Sequence, residues 1–235
     1  MGLETATVHV NGDSVEIVTA DGGRSYPVRE MPDELFSWQL DSRRAMFQSI
    51  ANGKRPTNFH AHLPVVATFN EELPFPVHTA TKATGLLPGD EHLDEYIAAA
   101  STCLDGARDK PWEESQASRI AVAKRLYQTP EHIDRRKLGL VEIFQGQTYR
   151  NLERNPLMTL QYTGAGPEYH SYQLNGVVER IGPGDASFDF LHLMRMLFEY
   201  NSFHIQQPAY PSGYLFWISE IFDKSPRGQA GRRIR

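Results

Sequence analysis

The stretch Val141–Ile181, VEIFQGQTYRNLERNPLMTLQYTGAGPEYHSYQLNGVVERI, decides how the rest of the chain is read. Pro156–Thr163 is short and apolar, which predicts a strand. Gly164–Pro167 is a Gly/Pro turn. Glu168–Ile181 reads as extended again. Tyr169, Ser171, Gln173 and Asn175 share one parity, and His170, Tyr172, Leu174 and Gly176 share the other. Together these segments predict a long hairpin. Ahead of it, Gln147–Asn155 predicts a short helix stopped by Pro156. Thr148 or Gln147 is the expected cap, leaving backbone N–H groups at the helix start for an anion.

Upstream, Leu138–Phe144 is an apolar strand that feeds this motif. At the other end of the chain, Thr5–Val10 and Ser14–Ala20 flank Asn11-Gly12-Asp13, a strong hairpin signal. A second turn at Asp21-Gly22-Gly23 leads into Arg24–Val28, so the chain opens with a three-stranded meander. Pro32-Asp33-Glu34 starts a helix running to about Asn52-Gly53, with acidic residues in its first turn. Its stripe is Leu35, Phe36, Gln39, Leu40, Arg43, Phe47 and Ile50, apolar but for two polar breaks. Asn58–Phe69 ends in a strand, Asn70–Pro74 is a loop and Phe75–Lys82 is a second strand. Glu91–Leu104 and Trp112–Tyr127 are helices, and Thr129-Pro130-Glu131-His132 resembles a third helix start. Asp185–Tyr200 is a helix with a broad apolar stripe, and Tyr214–Phe222 is the last strand.

The order of these motifs resembles the FMN-binding split barrel of the pyridoxamine-phosphate-oxidase-like and flavoredoxin-like proteins. The residues that carry the resemblance are Thr148, Asn151, Leu152, Asn155 and Pro156, then Tyr172, Gln173 and Gly176. Ile221–Pro226 and Ala230-Gly231-Arg232 resemble the closing strand and tail of that family. The likeness runs from Gly139 to Arg235, loosely includes Leu63–Gly85, and leaves out the N-terminal part and the stretch Gly85–Leu138.

The resemblance implies an α+β, mainly antiparallel fold. A split β-barrel spans 58–235 with a helical insertion at 85–138, and residues 1–57 form a meander and helix packed on it. It also implies a homodimer with FMN at the interface. FMN-dependent oxidoreduction of a small organic molecule, or electron transfer from reduced nicotinamide, would follow. The cofactor-binding residues would be His78, Thr79, Thr81 and Lys82 on the second strand of the first hairpin, and Gln147, Thr148, Arg150 and Asn151 at the short helix. Parity divides the strand: His78, Ala80 and Lys82 face one way, Thr79 and Thr81 the other. Charge favours the His78/Lys82 side. F420 or haem in place of FMN stays open.

Composition narrows the alternatives. The net charge of −5 argues against nucleic acid as a partner. The one cysteine, Cys103, excludes an intrachain disulfide and a cysteine-based zinc site, and its apolar helical setting predicts an inert buried thiol. No apolar run approaches the ~20 residues needed to span a bilayer, and no signal peptide is visible. The expectation is a cytoplasmic protein. No nucleophile elbow, P-loop or dinucleotide fingerprint is present.

Two rivals to the oxidoreductase remain. His60-x-His62, on an extended segment, would place both rings on one side as ligands of a non-haem metal oxygenase, with His78, Glu71, Glu72 or His170 completing the set. A flavin- or haem-binding protein without turnover is the other, with His170, His192 or His204 as axial ligand.

Overall fold

The computed structural model describes residues 6–19, 22–54, 56, 59–164, 169–198, 207, 209–226 and 231–234. Gly12, at φ 58°, turns the first hairpin. It joins β1 (Thr7–Asn11) to β2 (Ser14–Thr19), and β3 (Gly22–Pro27) completes the expected meander. α1 (Asp33–Ala51) buries the seven residues of its predicted stripe, the two polar ones included.

The second sheet is antiparallel throughout. It contains β4 (Val65–Phe69), β5 (Val77–Thr81), β6 (Lys137–Val141), β7 (Leu157–Thr163), β8 (Ser171–Ile181), β9 (Gly213–Asp223) and β10 (Arg232–Arg233). Pairing runs β5–β4–β7–β8–β9, and β9 carries β6 on its other side along with the short β10. The chain just beyond β5 then meets β6. Gly85 and Gly139 exchange both backbone hydrogen bonds, at 2.8 and 2.9 Å. The ring of pairings is therefore completed by one bridge, not by a ladder, and the barrel is split between β5 and β6.

That bridge is also the root of the helical insertion. The two legs run side by side, through Gly85–Gly139 and again through Pro88–Ile133. α2 (Leu93–Gly106) and α3 (Trp112–Gln128) stand above them, α2 against α5 (Ala186–Met196) and α3 against α1. The helix expected from Thr129 is only one 3-10 turn, Pro130–His132, because Lys137 already begins β6. Lys137, almost wholly buried, ties the root together through Asp90 at 2.7 Å and Asp134 at 3.7 Å. The meander, α1, the insertion helices and the barrel share one apolar core. The N-terminal segment is bonded to the barrel at Arg29 N–H to the Ile218 carbonyl, 2.7 Å.

Several smaller expectations meet the structure here. Cys103 is only partly buried. α5 ends at Met196, earlier than its apolar stripe suggested, and His204 lies outside the described residues. No helix among the described residues is long and apolar enough to cross a membrane.

Candidate functional site

At the split, a cavity of about 540 Å³ opens between β5, β6 and the helices above them. Thr81, Lys82, Ile143 and Phe144 border it on the barrel side. α1 closes it from above with Met46, Phe47 and Ile50, and α5 closes the far side with Phe190, Leu191 and Met194. These apolar side chains face the cavity where β5 and β6 do not pair and only the Gly85–Gly139 bridge joins the two sides. Phe144 stands at the lip, 63% exposed.

Lys82 and Glu142 link the two sides of the split. The Lys82 ammonium donates to both Glu142 carboxylate oxygens, at 2.9 and 2.7 Å. Tyr214 O–H donates to the same carboxylate at 2.9 Å, and the Phe144 N–H at 3.3 Å. The Glu142 side chain is 1% exposed. Burial alone would raise its pKa. The ammonium, the hydroxyl and the amide outweigh that and hold the carboxyl below its ordinary 4.5. Burial and the neighbouring carboxylate raise the Tyr214 hydroxyl instead, so it stays protonated as a donor.

A second polar group lies on the inner wall. Arg43 of α1 is 1% exposed. Its Nη1 donates to the Gln39 carbonyl at 3.1 Å and to Gln39 Oε1, and its Nη2 to the Thr84 carbonyl at 2.9 Å. Thr84 Oγ1 meets the Tyr162 hydroxyl at 2.9 Å. Burial pushes that hydroxyl up to about 12. It pushes the Tyr127 hydroxyl up too, against the pull of Arg43.

α4 (Gln147–Arg154) lies beside the split, against both β4 and β5. Its start differs from expectation. Gly146 is the N-cap and no side chain caps the helix; Thr148 is buried and Gln147 turns inward. Gln147 Nε2 donates to Asn151 Oδ1 at 2.7 Å, Asn151 Nδ2 to Thr68 Oγ1 at 3.1 Å, and Asn70 Nδ2 to Asn151 Oδ1 at 3.3 Å. Gln147 and Asn151 thus pin the helix to the β4 end. The exposed Arg150 bonds only Gln147, at 2.9 Å. Gln145, just ahead, is the one described non-glycine residue at positive φ, 46°. Such a conformation costs on the order of 1 kcal/mol, and it falls directly before the N-cap of α4.

The sequence-predicted residues are therefore only partly brought together. Thr81 and Lys82 reach the cavity. Thr79 and Thr81 share the exposed face of β5, while His78 lies half-buried opposite Thr68 on the other face. His60 and His62 sit in a turn before β4 instead of on a strand, so strand alternation does not align their rings. Among the described residues, the one group with metal-ligand spacing is His92, Glu95 and His132, in the insertion. The sequence reading missed Glu142 and Arg43. Each was visible as a charge inside an otherwise apolar strand or helix stripe.

No family model matches the sequence, and no curated protein matches it. Solved structures do show similar chain paths. A pyridoxamine 5'-phosphate oxidase-related, FMN-binding protein from Nostoc punctiforme superimposes with a TM-score of 0.43 at 10% identity, covering 86% of this chain and 87% of its own. An FMN-binding protein from Syntrophomonas wolfei gives 0.42 at 9%, covering 83% and 92%. HupZ of Group A Streptococcus gives 0.40 at 13%, covering 80% and 98%. The likeness concerns the chain path alone.

Proposed function

We propose that this protein binds flavin mononucleotide at the mouth of the split and works as an FMN-dependent oxidoreductase. It would act on a small organic molecule or pass on electrons from reduced nicotinamide. The observation that carries this reading is the mouth itself: an apolar cavity whose rim reaches Phe144, two residues ahead of Gly146, the N-cap of a helix that no side chain caps. A ring system with a phosphate tail needs both a flat apolar wall and an anion cradle. Phe144 and Ile143 supply the wall. The first-turn N–H groups of α4 supply the cradle, because they point out of the helix and carry its positive end. Arg150, exposed beside them, adds a full charge.

Thr79 and Thr81 place hydroxyls on the open face of β5, where they can meet the polar edge of a ring. Lys82 is held by Glu142 and therefore fixes a local field instead of binding phosphate. When bound, the flavin supplies the hydride or electron transfer; the chain binds it, orients it and shields it from water.

The reading includes a homodimer. Val65, Phe69 and Val77 on the β4–β5 hairpin are 38–59% exposed, and Phe75 is 85% exposed. An apolar edge hairpin of this kind is a liability unless a partner covers it. A second copy would do so and would complete the flavin site at the same time.

Titrating the purified protein with FMN tests the assignment. Flavin fluorescence should be quenched to an end point of one per protomer, and the protein should elute as a dimer. Arg150→Ala should weaken binding roughly tenfold with an unaltered melting curve. Unchanged affinity would mean that the phosphate lies elsewhere. Tight binding with no turnover, given either nicotinamide and a panel of acceptors, would favour the binding-only rival.

A further inference from the structure

The inner wall of the cavity holds an electrostatic imbalance. The cations Arg43 and Lys82 line it, and no aspartate or glutamate among the described residues does. Glu142 neutralises Lys82 from behind the wall. Arg43 has no such counter-ion among the described residues. Its partners are neutral oxygens, of Gln39 and Thr84 with the Tyr127 hydroxyl beside them, and its buried Nε has no acceptor among the described residues.

A guanidinium taken out of water without a carboxylate is costly, and a buried donor without an acceptor adds to the cost. Neutral carbonyls hold the group in place without cancelling its charge. The planar fork is suited to a two-oxygen anion, and Nε is part of the edge by which arginine grips one. Much of the remaining wall is aromatic and aliphatic, including Phe47, Phe59, Phe190 and Phe198. The cavity volume of about 540 Å³ falls within the range of small-molecule sites.

We infer that the cavity takes an organic anion, a carboxylate borne on an apolar, ring-containing body, with its head on Arg43. This rests on the flavin reading only in making that anion the substrate; the binding itself is inferred from the cavity alone. The flavin phosphate at α4 and the carboxylate at Arg43 would then be two separate anion points, one outside the split and one within it.

The test uses the full chain without added flavin, and three probes: 2-naphthoate, its neutral amide and sodium chloride. By calorimetry, wild type should bind naphthoate on the order of 10- to 100-fold more tightly than the amide. Arg43→Met should abolish that preference, so that acid and amide bind alike, and Arg43→Lys should restore part of it. Saturating FMN should leave naphthoate binding intact, and FMN affinity should be the same in Arg43→Met as in wild type.

Equal binding of acid and amide by wild type would overturn the inference, as would no binding of either. Saturation by chloride alone, with no preference for the acid, would show an inorganic counter-ion site and overturn it too. Displacement of naphthoate by FMN would place the flavin inside the cavity and remove the second anion point. Loss of FMN binding with naphthoate binding retained would instead count against the flavin reading and spare this one.

Discussion

Gly176→Ala is expected to leave little folded protein. The pairing of β8 with β9 shifts register between Asn175 and Gly176. A Cβ at Gly176 would overlap the Trp217 carbonyl oxygen and meet Phe216 ring carbons at 2.7 and 2.8 Å. The first of these atoms is backbone in the central strand of the barrel and cannot swing aside. The Phe216 ring is wholly buried. Relief requires parting the longest ladder in the fold, at a cost of about 4 kcal/mol or more, against a total stability of roughly 5–15 kcal/mol.

Gly139→Ala provides the contrast. Its Cβ would meet the Leu191 side chain at 2.5 and 2.6 Å. That chain borders the cavity and has room to move into it, so the cost should stay near 1–3 kcal/mol. Circular dichroism melts of the two variants check this. A Gly176→Ala melting temperature within a few degrees of wild type would show that the strands can part cheaply there.

Lys82→Met should be the second large effect, and it should depend on pH. At neutral pH the variant leaves a buried carboxylate without its cation, which costs about 3–5 kcal/mol. In wild type the Glu142 carboxyl is held below its ordinary 4.5. Its stabilising contribution is thus fully present above that value and is lost as pH falls through the lowered one. Without Lys82, burial dominates and pushes the carboxyl up. The gap between wild type and variant should therefore be widest near neutrality, begin to close as pH falls through the variant's raised value, and finish closing below the wild type's lowered one.

Urea melts at three pH values measure that gap. A gap that does not change with pH would show that Lys82 contributes by packing and not by charge. Lys82→Met combined with Glu142→Leu should recover most of the loss, since removing both charges leaves neither stranded.

The local pieces of this fold were legible in the sequence, and the long-range pairings were not. Asn11-Gly12 marked a hairpin because only certain residues accept positive φ. The α1 stripe showed its buried face to the residue. Arg43 was part of that stripe, yet nothing near it in sequence shows that its Nη2 bonds Thr84 across 41 residues. Glu142 likewise stood out in an apolar strand, but its cation lies 60 residues away.

The cap of α4 was misread for a related reason. Thr148 has the chemistry of a cap, but tertiary packing buries it and Gly146 takes the position. His60 and His62 were misread because alternation applies only to strands, and β4 begins at Val65. The Gly85–Gly139 bridge has no sequence signal at all. It exists because the insertion leaves and returns to the barrel at one place.

The central claim is that a phosphorylated flavin sits at the mouth of the split with its phosphate on the start of α4. Comparing FMN with riboflavin, which has the same ring and no phosphate, tests it most directly. Fluorescence titration should show FMN binding on the order of 100-fold more tightly in low salt, with that advantage cut to about tenfold in Arg150→Ala. Equal affinity for the two flavins, or no binding of either, would contradict it.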